Sequence, residues 1–297
     1  MKLFAPAYYK DFKCIADRCR HSCCVGWEID VDERTREKYA NLSGEYADVI
    51  RESIEDAGTP HFRLALGERC PHLDESGLCR IITEYGEGAL CNICREHPRF
   101  YNDTARGREA GLGLSCEEAG RIILSSDTFG AMEAIGEIQN ADLPLGFDPL
   151  PERDRIFALL TDESLPYKKR LKLLSRAYGV SLRTNCDCAW REILSSLEYL
   201  NEAHRPLFAA YSSKRKTDKA TEKHLLRAFA YFIYRHASSA ESEDELRSAI
   251  GFSLFCEQLL ASMVRSDGDV FDCARIISEE IEYSEENTEI IKGEFLF

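Results

Sequence analysis

The sequence lacks the features of a membrane or secreted protein. Although 44% of its 297 residues are hydrophobic, no stretch approaches the roughly 18 consecutive apolar residues of a membrane-spanning helix. The N-terminal segment MKLFAPAYYKDFKC has neither the long apolar run nor the small-residue cleavage site of a signal peptide. We therefore expect a cytoplasmic protein without membrane insertion.

Positive charge is also scarce. The 38 Lys and Arg residues are outnumbered by 52 Asp and Glu residues, and the formal net charge is -14 with a pI near 5.1. Affinity for a phosphate backbone comes largely from clustered lysine and arginine. The composition therefore argues against nucleic acid as a partner.

Common motifs of catalysis and nucleotide binding are absent. The chain has no G-x-S-x-G, no P-loop and no G-x-G-x-x-G after a strand. Gly111-Leu112-Gly113 has no Rossmann alternation around it, and we interpret it as a turn. The seven histidines form no H-x-x-x-H or H-E-x-x-H pair. His21 and His97 lie beside cysteines and could join a metal site, although a surface or hydrogen-bonded role is more common.

Cysteine, in contrast, is abundant. Closely spaced thiols are taken up by disulfides, by zinc or by an iron-sulfur cluster. A cytosolic protein of this length can build a core without covalent staples, so disulfides are the least favoured of the three. The clustering therefore predicts a metal site. Nine of the 13 cysteines lie in the first 116 residues: Cys14, Cys19, Cys23, Cys24, Cys70, Cys79, Cys91, Cys94 and Cys116.

The cysteine spacings differ from the common metal motifs. Cys14-x4-Cys19-x3-Cys23-Cys24 fits neither a zinc finger nor the C-x3-C-x2-C pattern of radical S-adenosylmethionine enzymes. Cys91-x2-Cys94 has zinc-like spacing, but the βαβ pattern of a thioredoxin-type redox pair is missing around it. Buried apolar cysteines are expected at the four remaining positions, which lie in helical patterns. These are Cys186, Cys188, Cys256 and Cys273.

The local pattern changes near residue 130. Before it, His61 to Leu66 alternates like a short strand, and Ser115 with Glu118 forms a capping box that predicts a helix to Leu124. After it, apolar residues recur at helical spacing. Helices are predicted near 152–162, 166–178, 187–199 and 203–211, followed by two longer amphipathic helices and a last one from 270 to about 283. The expected fold is mainly α, with a cysteine-rich metal-binding domain containing short strands at 1–130 and a helical domain at 131–297.

Five segments together carry a family pattern. They are FKCIADRCRHSCCVGWEIDVD at 12–32, CPHLDESGLCRI at 70–81, CREHPRF at 94–100, LSCEEAGRIIL at 114–124 and ISEEIEYSEEN at 277–287. In content and order they resemble the flagellin lysine-N-methylase (FliB) family. The N-terminal blocks would also suit a broader group of CxxCxxCC proteins described as zinc or iron chelators. The helical second half and the acidic tail favour the methylase family.

The resemblance implies an activity and a set of ligands. The activity is methyl transfer from S-adenosylmethionine to lysines of flagellin or a similar surface filament protein, in a protein that carries an iron-sulfur cluster. The cluster type would be [4Fe-4S], with zinc as the alternative. Eight thiolates exceed the four that one such cluster needs, so their partition stays open. The metal ligands implied by the family blocks are Cys14, Cys19, Cys23, Cys24, Cys70, Cys79, Cys94 and Cys116, whereas Cys91 falls outside the blocks.

Methyl transfer to lysine needs a neutral amine, but lysine has an ordinary pKa of about 10.4 and is therefore protonated at neutral pH. A base or a desolvated channel must therefore be present. Residues that could help are Glu280, Tyr283 and Glu286 in the tail, and Trp27, Asp30 and Asp32 near the first cysteines. An alternative of a different class is a non-enzymatic iron- or zinc-binding or electron-transfer protein that uses the same cysteines. A groove in the second half able to admit S-adenosylmethionine would separate the two.

Overall fold

A computed structural model describes residues 1–56, 58–128, 130–138, 146–182, 186–214, 217–265 and 268–296. The chain divides into two compact units. The cysteine unit is Lys13–Arg99, and the helical unit combines Met1–Phe12 with Phe100–Phe297. Helix makes up 54% of the structure, beside small sheets. The prediction of a mainly α fold is confirmed.

The cysteine unit is built from short helices and a two-stranded ribbon. The ribbon is shorter than the strand predicted over 61–66, since Ile54 pairs with Phe62 and the ladder then ends. Apolar residues from most elements meet in one core, among them Tyr39, Ile50 and Phe62, each at most 1% exposed. The elements are α1 (Glu33–Ala40), α2 (Glu45–Glu52), β2 (Ile54–Glu55), β3 (His61–Phe62), α3 (Arg80–Tyr85) and α4 (Asn92–Glu96).

A four-stranded sheet opens the helical unit. Its strands are β1 (Lys2–Pro6), β4 (Arg99–Thr104), β5 (Gly107–Leu112) and β6 (Met132–Glu137), in the order β4-β5-β1-β6. β1 runs parallel to β5 and antiparallel to β6, with a bulge between Leu3 and Phe4. Because β1 joins partners more than a hundred residues away, the first residues of the chain belong to the same unit as the segment from Phe100 onward.

This pairing explains why the compact units differ from the boundary predicted at residue 130. The sequence shows a change in composition at that point, whereas the units divide after Phe12 and after Arg99. Residues 100–130 contain β4, β5 and a helix that pack with the later helices. Strand pairing between distant segments leaves no periodic signal at a boundary, because each strand is only five or six residues long.

Two long helices, α10 (Lys219–Ala237) and α11 (Glu243–Arg265), supply a large part of the core of the helical unit. Phe229 and Phe232 of α10 and Phe252 and Phe255 of α11 are all 0% exposed. The helices predicted from residue 150 onward are confirmed. A π-helical turn, Ser278–Glu282, follows α12 (Val270–Ile277). Among the described residues, no helix is both long and apolar enough to cross a membrane. The helices are α5 (Glu117–Ser125), α6 (Leu150–Thr161), α7 (Tyr167–Ala177), α8 (Asp187–Ser196), α9 (Arg205–Ala209), α10 (Lys219–Ala237), α11 (Glu243–Arg265), α12 (Val270–Ile277) and α13 (Glu285–Gly293).

Two local predictions are wrong. Helix α5 begins at Glu117 with Cys116 as its N-cap and no side-chain cap, so the capping box expected at Ser115 does not form. Gly111 lies in β5 and not in a turn. Glycine is needed there because a Cβ atom would lie 2.2 Å from Cζ of Phe100, which packs across the strand.

Replacing Gly251 with alanine is expected to destabilise the helical unit. An added Cβ would lie 2.2 Å from Cγ of Phe295, whose side chain is buried. Overpacking of this kind costs about 1–3 kcal/mol, which exceeds the roughly 1 kcal/mol that favours alanine over glycine inside a helix. Gly293→Ala in α13 is the matched control, since nothing lies within 4 Å of its added Cβ. Chemical denaturation should show a lower midpoint for Gly251→Ala alone, and an equal shift in both variants would contradict the packing argument.

Candidate functional site

Five thiols converge in the core of the cysteine unit. Cys70 and Cys91 are 7% and 1% exposed, and Cys24, Cys79 and Cys94 are partly buried against the same core. We call these five residues the thiol cluster. It includes Cys91, which the family blocks leave out.

Backbone pairing brings the first three members together. The amide of Cys70 donates to the carbonyl of Cys24 at 2.8 Å, which aligns two segments that are distant in sequence. The chain then folds back through a hairpin in which Leu73 bridges Cys79. Cys79 is thereby placed at the N-cap of α3. The three thiols are therefore positioned by main-chain contacts and not by one local motif.

The other two members belong to the C-x-x-C segment at α4. Cys91 is the N-cap of this helix, and Sγ of Cys91 lies 3.4 Å from Sγ of Cys94. Two thiolates bound to one zinc ion at about 2.3 Å in a tetrahedral site would be about 3.8 Å apart. The pair is thus spaced almost as a chelate would be.

Asp32 positions α4 beneath this pair. Its carboxylate accepts from the amide of Asn92 at 2.8 Å and from the amide of Thr35 at 3.1 Å, which makes it the N-cap of α1. These contacts account for both of its oxygens. Asp32, predicted as a residue that could assist methyl transfer, therefore has a structural position between two helices.

The thiols differ in acidity. A hydrogen bond with the Cys23 side chain lowers the pKa of Cys24 to about 7, whereas burial raises the pKa of Cys70 to about 12. The hydrogen bond between Cys91 and Cys94 lowers the pKa of Cys91 and raises that of Cys94. Because metal ligation requires thiolates, binding here would release protons, and metal affinity would increase with pH.

The hydroxyl of Tyr39 supports a metal centre at the thiol cluster. This oxygen is buried without a hydrogen-bond partner. Burial, together with the nearby thiols of Cys79, Cys91 and Cys94, raises the pKa of Tyr39. A buried unsatisfied donor costs about 1–3 kcal/mol, and a thiolate-bound centre would supply acceptors beside it. In the described part of the chain, no three His, Cys, Asp or Glu side chains are already arranged to hold a metal ion. The donor chemistry therefore fits a thiolate-preferring metal, and the ligation itself stays a prediction.

The other predicted ligands lie outside the thiol cluster. Cys23 is exposed and lies beside Cys24. Cys14 is exposed on the preceding loop, and Cys19 on the same loop donates to the carbonyl of His21 at 3.3 Å. Cys116 belongs to the helical unit, where it packs against the core. The structure thus groups half of the eight predicted ligands, namely Cys24, Cys70, Cys79 and Cys94, with Cys91.

The four cysteines beyond residue 130 divide into two pairs. Cys256 and Cys273 are buried, at 0% and 6% exposure, as predicted. Cys186 and Cys188 instead form a disulfide at the exposed start of α8. The expectation of two buried thiols there was wrong, because the buried face of α8 begins only at Trp190.

A cavity of about 500 Å³ lies within the helical unit. Sites for small molecules typically enclose about 300–1,000 Å³, so this one is large enough for a cofactor or a long side chain. Strand β4, helix α10, the π-helical turn and helix α13 form its walls. Its lining residues are Phe100, Asn102, Arg235, His236, Glu282, Glu285, Thr288, Glu289 and Lys292.

Glu282 is the buried charge of this cavity. Its side chain is 0% exposed, and one oxygen lies 3.4 Å from Nε of Arg235 and 2.7 Å from Nε2 of His236. The hydroxyl of Tyr231 donates to its other oxygen at 2.9 Å. Burial alone would raise the pKa of Glu282, but Arg235 and the His236 hydrogen bond hold it below its usual value. Glu282 is therefore an ionised acceptor at neutral pH.

His236 lies in front of this carboxylate and is 10% exposed. Burial lowers its pKa below 6.5, although the bond to Glu282 opposes that shift. The ring is therefore neutral at pH 7, and it donates from Nε2 to the carboxylate. A neutral imidazole that donates from one nitrogen has an acceptor lone pair on the other. His236 can consequently accept a proton at Nδ1.

The tail residues predicted from sequence have other positions. Glu280 is 2% exposed and accepts from the amides of Leu200 and Asn201 and from Nδ1 of His204, at 2.7, 3.2 and 2.6 Å. Its contacts hold a loop in place. Glu286 is exposed, and the ring of Tyr283 lies 5.1 Å from the guanidinium of Arg235.

Near the first cysteines, Asp30 is exposed and bridges His61 through its backbone, and Trp27 is half-buried. Sequence reasoning missed both Glu282 and His236. The only available signal was that Glu282 lies within the acidic tail. His236 is hidden in the apolar pattern of α10.

Comparisons with known proteins relate the chain to two lysine-N-methylases and to a flagellar biosynthetic protein. Lysine-N-methylases of Salmonella choleraesuis and Salmonella typhimurium are each 30% identical over 137 residues, which is 43% of this chain and 34% of theirs. The flagellar biosynthetic protein FliU of Salmonella muenchen is 30% identical over 128 residues, which is 40% of this chain and 75% of FliU. The chain belongs to the FliB/FliU lysine-N-methylase family.

This relationship confirms the predicted resemblance to the flagellin lysine-N-methylase (FliB) family. The chain spans about a third of the length of the two curated lysine-N-methylases it matches. No family model matches the chain, and no solved structure matches it.

Proposed function

We propose that this FliB/FliU family member is an S-adenosylmethionine-dependent protein-lysine N-methyltransferase that acts on flagellin or a similar surface filament protein. The observation that carries the proposal is the 30% identity to curated lysine-N-methylases. The cavity of the helical unit supports it, because a transferase needs a site for both a donor and an amine. Its volume of about 500 Å³ is within the range of cofactor sites.

The lining of the cavity suits positively charged ligands. Three carboxylates, Glu282, Glu285 and Glu289, face two cationic side chains, Arg235 and Lys292. With His236 neutral, the formal charges of the lining side chains sum to -1. S-adenosylmethionine supplies an electrophilic methyl group on a positively charged sulfur. The ring of Phe100 also lines the cavity, and the guanidinium of Arg235 lies over it at 4.9 Å, so this cation–π contact holds Arg235 at the cavity wall.

The thiol cluster is the proposed site of an iron-sulfur cluster, with zinc as the alternative. Cys24, Cys70, Cys79, Cys91 and Cys94 would supply the thiolates, and the Tyr39 hydroxyl would donate to the bound centre. Because a metal bound only by the folded state adds its binding free energy to folding, the centre would stabilise the cysteine unit. Its short helices offer little stability on their own.

The alternative is a non-enzymatic metal-binding or electron-transfer protein. The grouping of five thiols favours it, because a metal or redox carrier needs no other site. It gives no role to the carboxylate-lined cavity in the helical unit. The two proposals therefore differ in whether that cavity turns over a methyl donor.

Methyl transfer by the full chain separates these proposals. The protein would be purified without oxygen, assayed for iron, sulfide and zinc, and incubated with flagellin and methyl-labelled S-adenosylmethionine. We expect label in Nε-methyllysine after acid hydrolysis of flagellin, and none with flagellin whose lysines have been chemically dimethylated. A metal-loaded protein that accepts electrons from dithionite but transfers no label would favour the alternative.

A further inference from the structure

We infer that the cavity of the helical unit binds a primary alkylammonium group, the side chain of the substrate lysine, and that His236 accepts its proton with Glu282 as the positioning residue. The inference deepens the proposed function and rests on it. It is carried by the arrangement of a buried carboxylate, a partly exposed imidazole and an acidic cavity.

The carboxylate and the imidazole are arranged in series. Both residues line the cavity, but the side chain of Glu282 is 0% exposed, whereas that of His236 is 10% exposed. The imidazole is therefore the more accessible member of the pair. Their contact at 2.7 Å fixes the ring orientation and the tautomer. A carboxylate in this position also stabilises the imidazolium that forms when the ring takes up a proton.

The backbone provides an independent indication. Glu282 ends the π-helical turn Ser278–Glu282, in which the amide of Tyr283 donates to the carbonyl of Ser278 at 3.2 Å. Single π-turns in otherwise α-helical segments occur frequently at functional sites. This wider turn places Glu282 on the buried side of the tail, where its carboxylate contacts Arg235 and His236 of α10.

The charges around His236 favour a cation as the ligand. On its own helix, Arg235 is held by Glu282 and by the ring hydroxyl of Tyr231. From α13, Lys292 lines the cavity and lies 3.3 Å from Glu289, while Glu285 adds a further carboxylate. Helix α11 contributes the apolar ring of Phe252, 4.6 Å from the imidazole. Strand β4 contributes the neutral side chains of Phe100 and Asn102.

In the proposed reaction, one proton and one methyl group change places on the lysine nitrogen. The lysine ammonium transfers one proton to Nδ1 of His236, which becomes an imidazolium paired with Glu282. The amine lone pair forms the new N–C bond to the methyl group of the sulfonium donor while the C–S bond breaks. The electron pair of the C–S bond stays on the sulfur, which becomes a neutral thioether. His236 then releases its proton to water.

His236→Gln tests this role in the full chain with flagellin and S-adenosylmethionine. Glutamine keeps an N–H donor for Glu282 but cannot take up a proton. We expect kcat at pH 7 to fall by about 10² to 10⁴, the usual contribution of a general base. The ratio of wild-type to variant kcat should fall about tenfold per pH unit as the pH rises towards the lysine pKa of about 10.4, because a growing fraction of the lysine is then already neutral in solution. KM for S-adenosylmethionine should not change.

The matched control is His204→Gln. His204 is also paired with a buried glutamate, Glu280, at 2.6 Å, but it does not line the cavity. Its kcat should equal that of the wild type at each pH. Unchanged kcat in His236→Gln, or a pH-independent loss that both variants share, would overturn the inference.

A binding measurement separates this inference from the proposed function. n-Butylammonium would be titrated into protein with ¹⁵N-labelled histidine at pH 7. The ring ¹⁵N signal of His236 is identified as the one that is missing from the spectrum of His236→Gln. We expect this signal to shift as n-butylammonium is added, until the site is saturated. The ring signal of His204 should stay constant. A shift without any methyl transfer by the wild type would refute the proposed function alone. No shift of His236 would refute the ammonium site.

Discussion

Cys91→Ala is expected to remove most of the iron or zinc from the protein. Cys91 is 1% exposed in the core of the cysteine unit, and its sulfur lies 3.4 Å from that of Cys94. Loss of either thiolate breaks the pair that is already spaced as a chelate. Four thiols remain in the cluster, but none of them replaces Cys91 beside Cys94, so we expect metal affinity to fall although the number of ligands would still suffice.

Metal and sulfide analysis of the soluble protein measures this effect. Cys256→Ala is the matched control, since it also removes a buried thiol, at 0% exposure, but in α11 of the helical unit. It should keep its full metal content. Equal metal loss in both variants would contradict the assignment of the thiol cluster.

Cys116→Ala, measured beside them, tests the ligand that the family blocks place in the helical unit. Metal loss in this variant would confirm the sequence-based assignment. Retention would remove Cys116 from the ligand set and leave its packing against the core as its role.

Arg153→Met is expected to destabilise the helical unit by about 3–5 kcal/mol, the usual cost of leaving one partner of a buried ion pair uncompensated. Arg153 and Glu109 are 2% and 3% exposed. Nη2 of Arg153 donates to Glu109 at 3.0 Å, and Nη1 donates to Oγ of Ser238 at 2.8 Å. The pair thereby connects α6, β5 and the end of α10. Without the guanidinium, the Glu109 carboxylate would be buried without its cation.

Denaturant unfolding followed by tryptophan fluorescence tests this prediction. Trp190 is 1% exposed in the helical unit, and a Trp27→Phe background leaves it as the only tryptophan, since the chain has two. The double variant Arg153→Met with Glu109→Leu removes both charges, and it should recover much of the lost stability. If the double variant were less stable than Arg153→Met, the pair would not be the source of the loss.

The cysteine blocks show how far sequence reasoning reaches. Their spacing and order, with the acidic tail, were enough to identify the family, because such motifs are read directly from the chain. They were not enough to find Cys91. Its place among the thiols depends on pairing between the segments of Cys24 and Cys70 and on the attachment of α4 to Asp32.

The helices and the sheet illustrate the same division. By itself, the sequence determined the positions of the helices after residue 150, since a 3.6-residue period is a local property of a segment. Only the tertiary structure placed β1 beside β5, set the limits of the two units and brought His236 in front of Glu282. Those features join residues separated by 46 or more positions. Contacts over such distances are set by packing and by the satisfaction of buried polar groups, for which no local pattern in the chain exists.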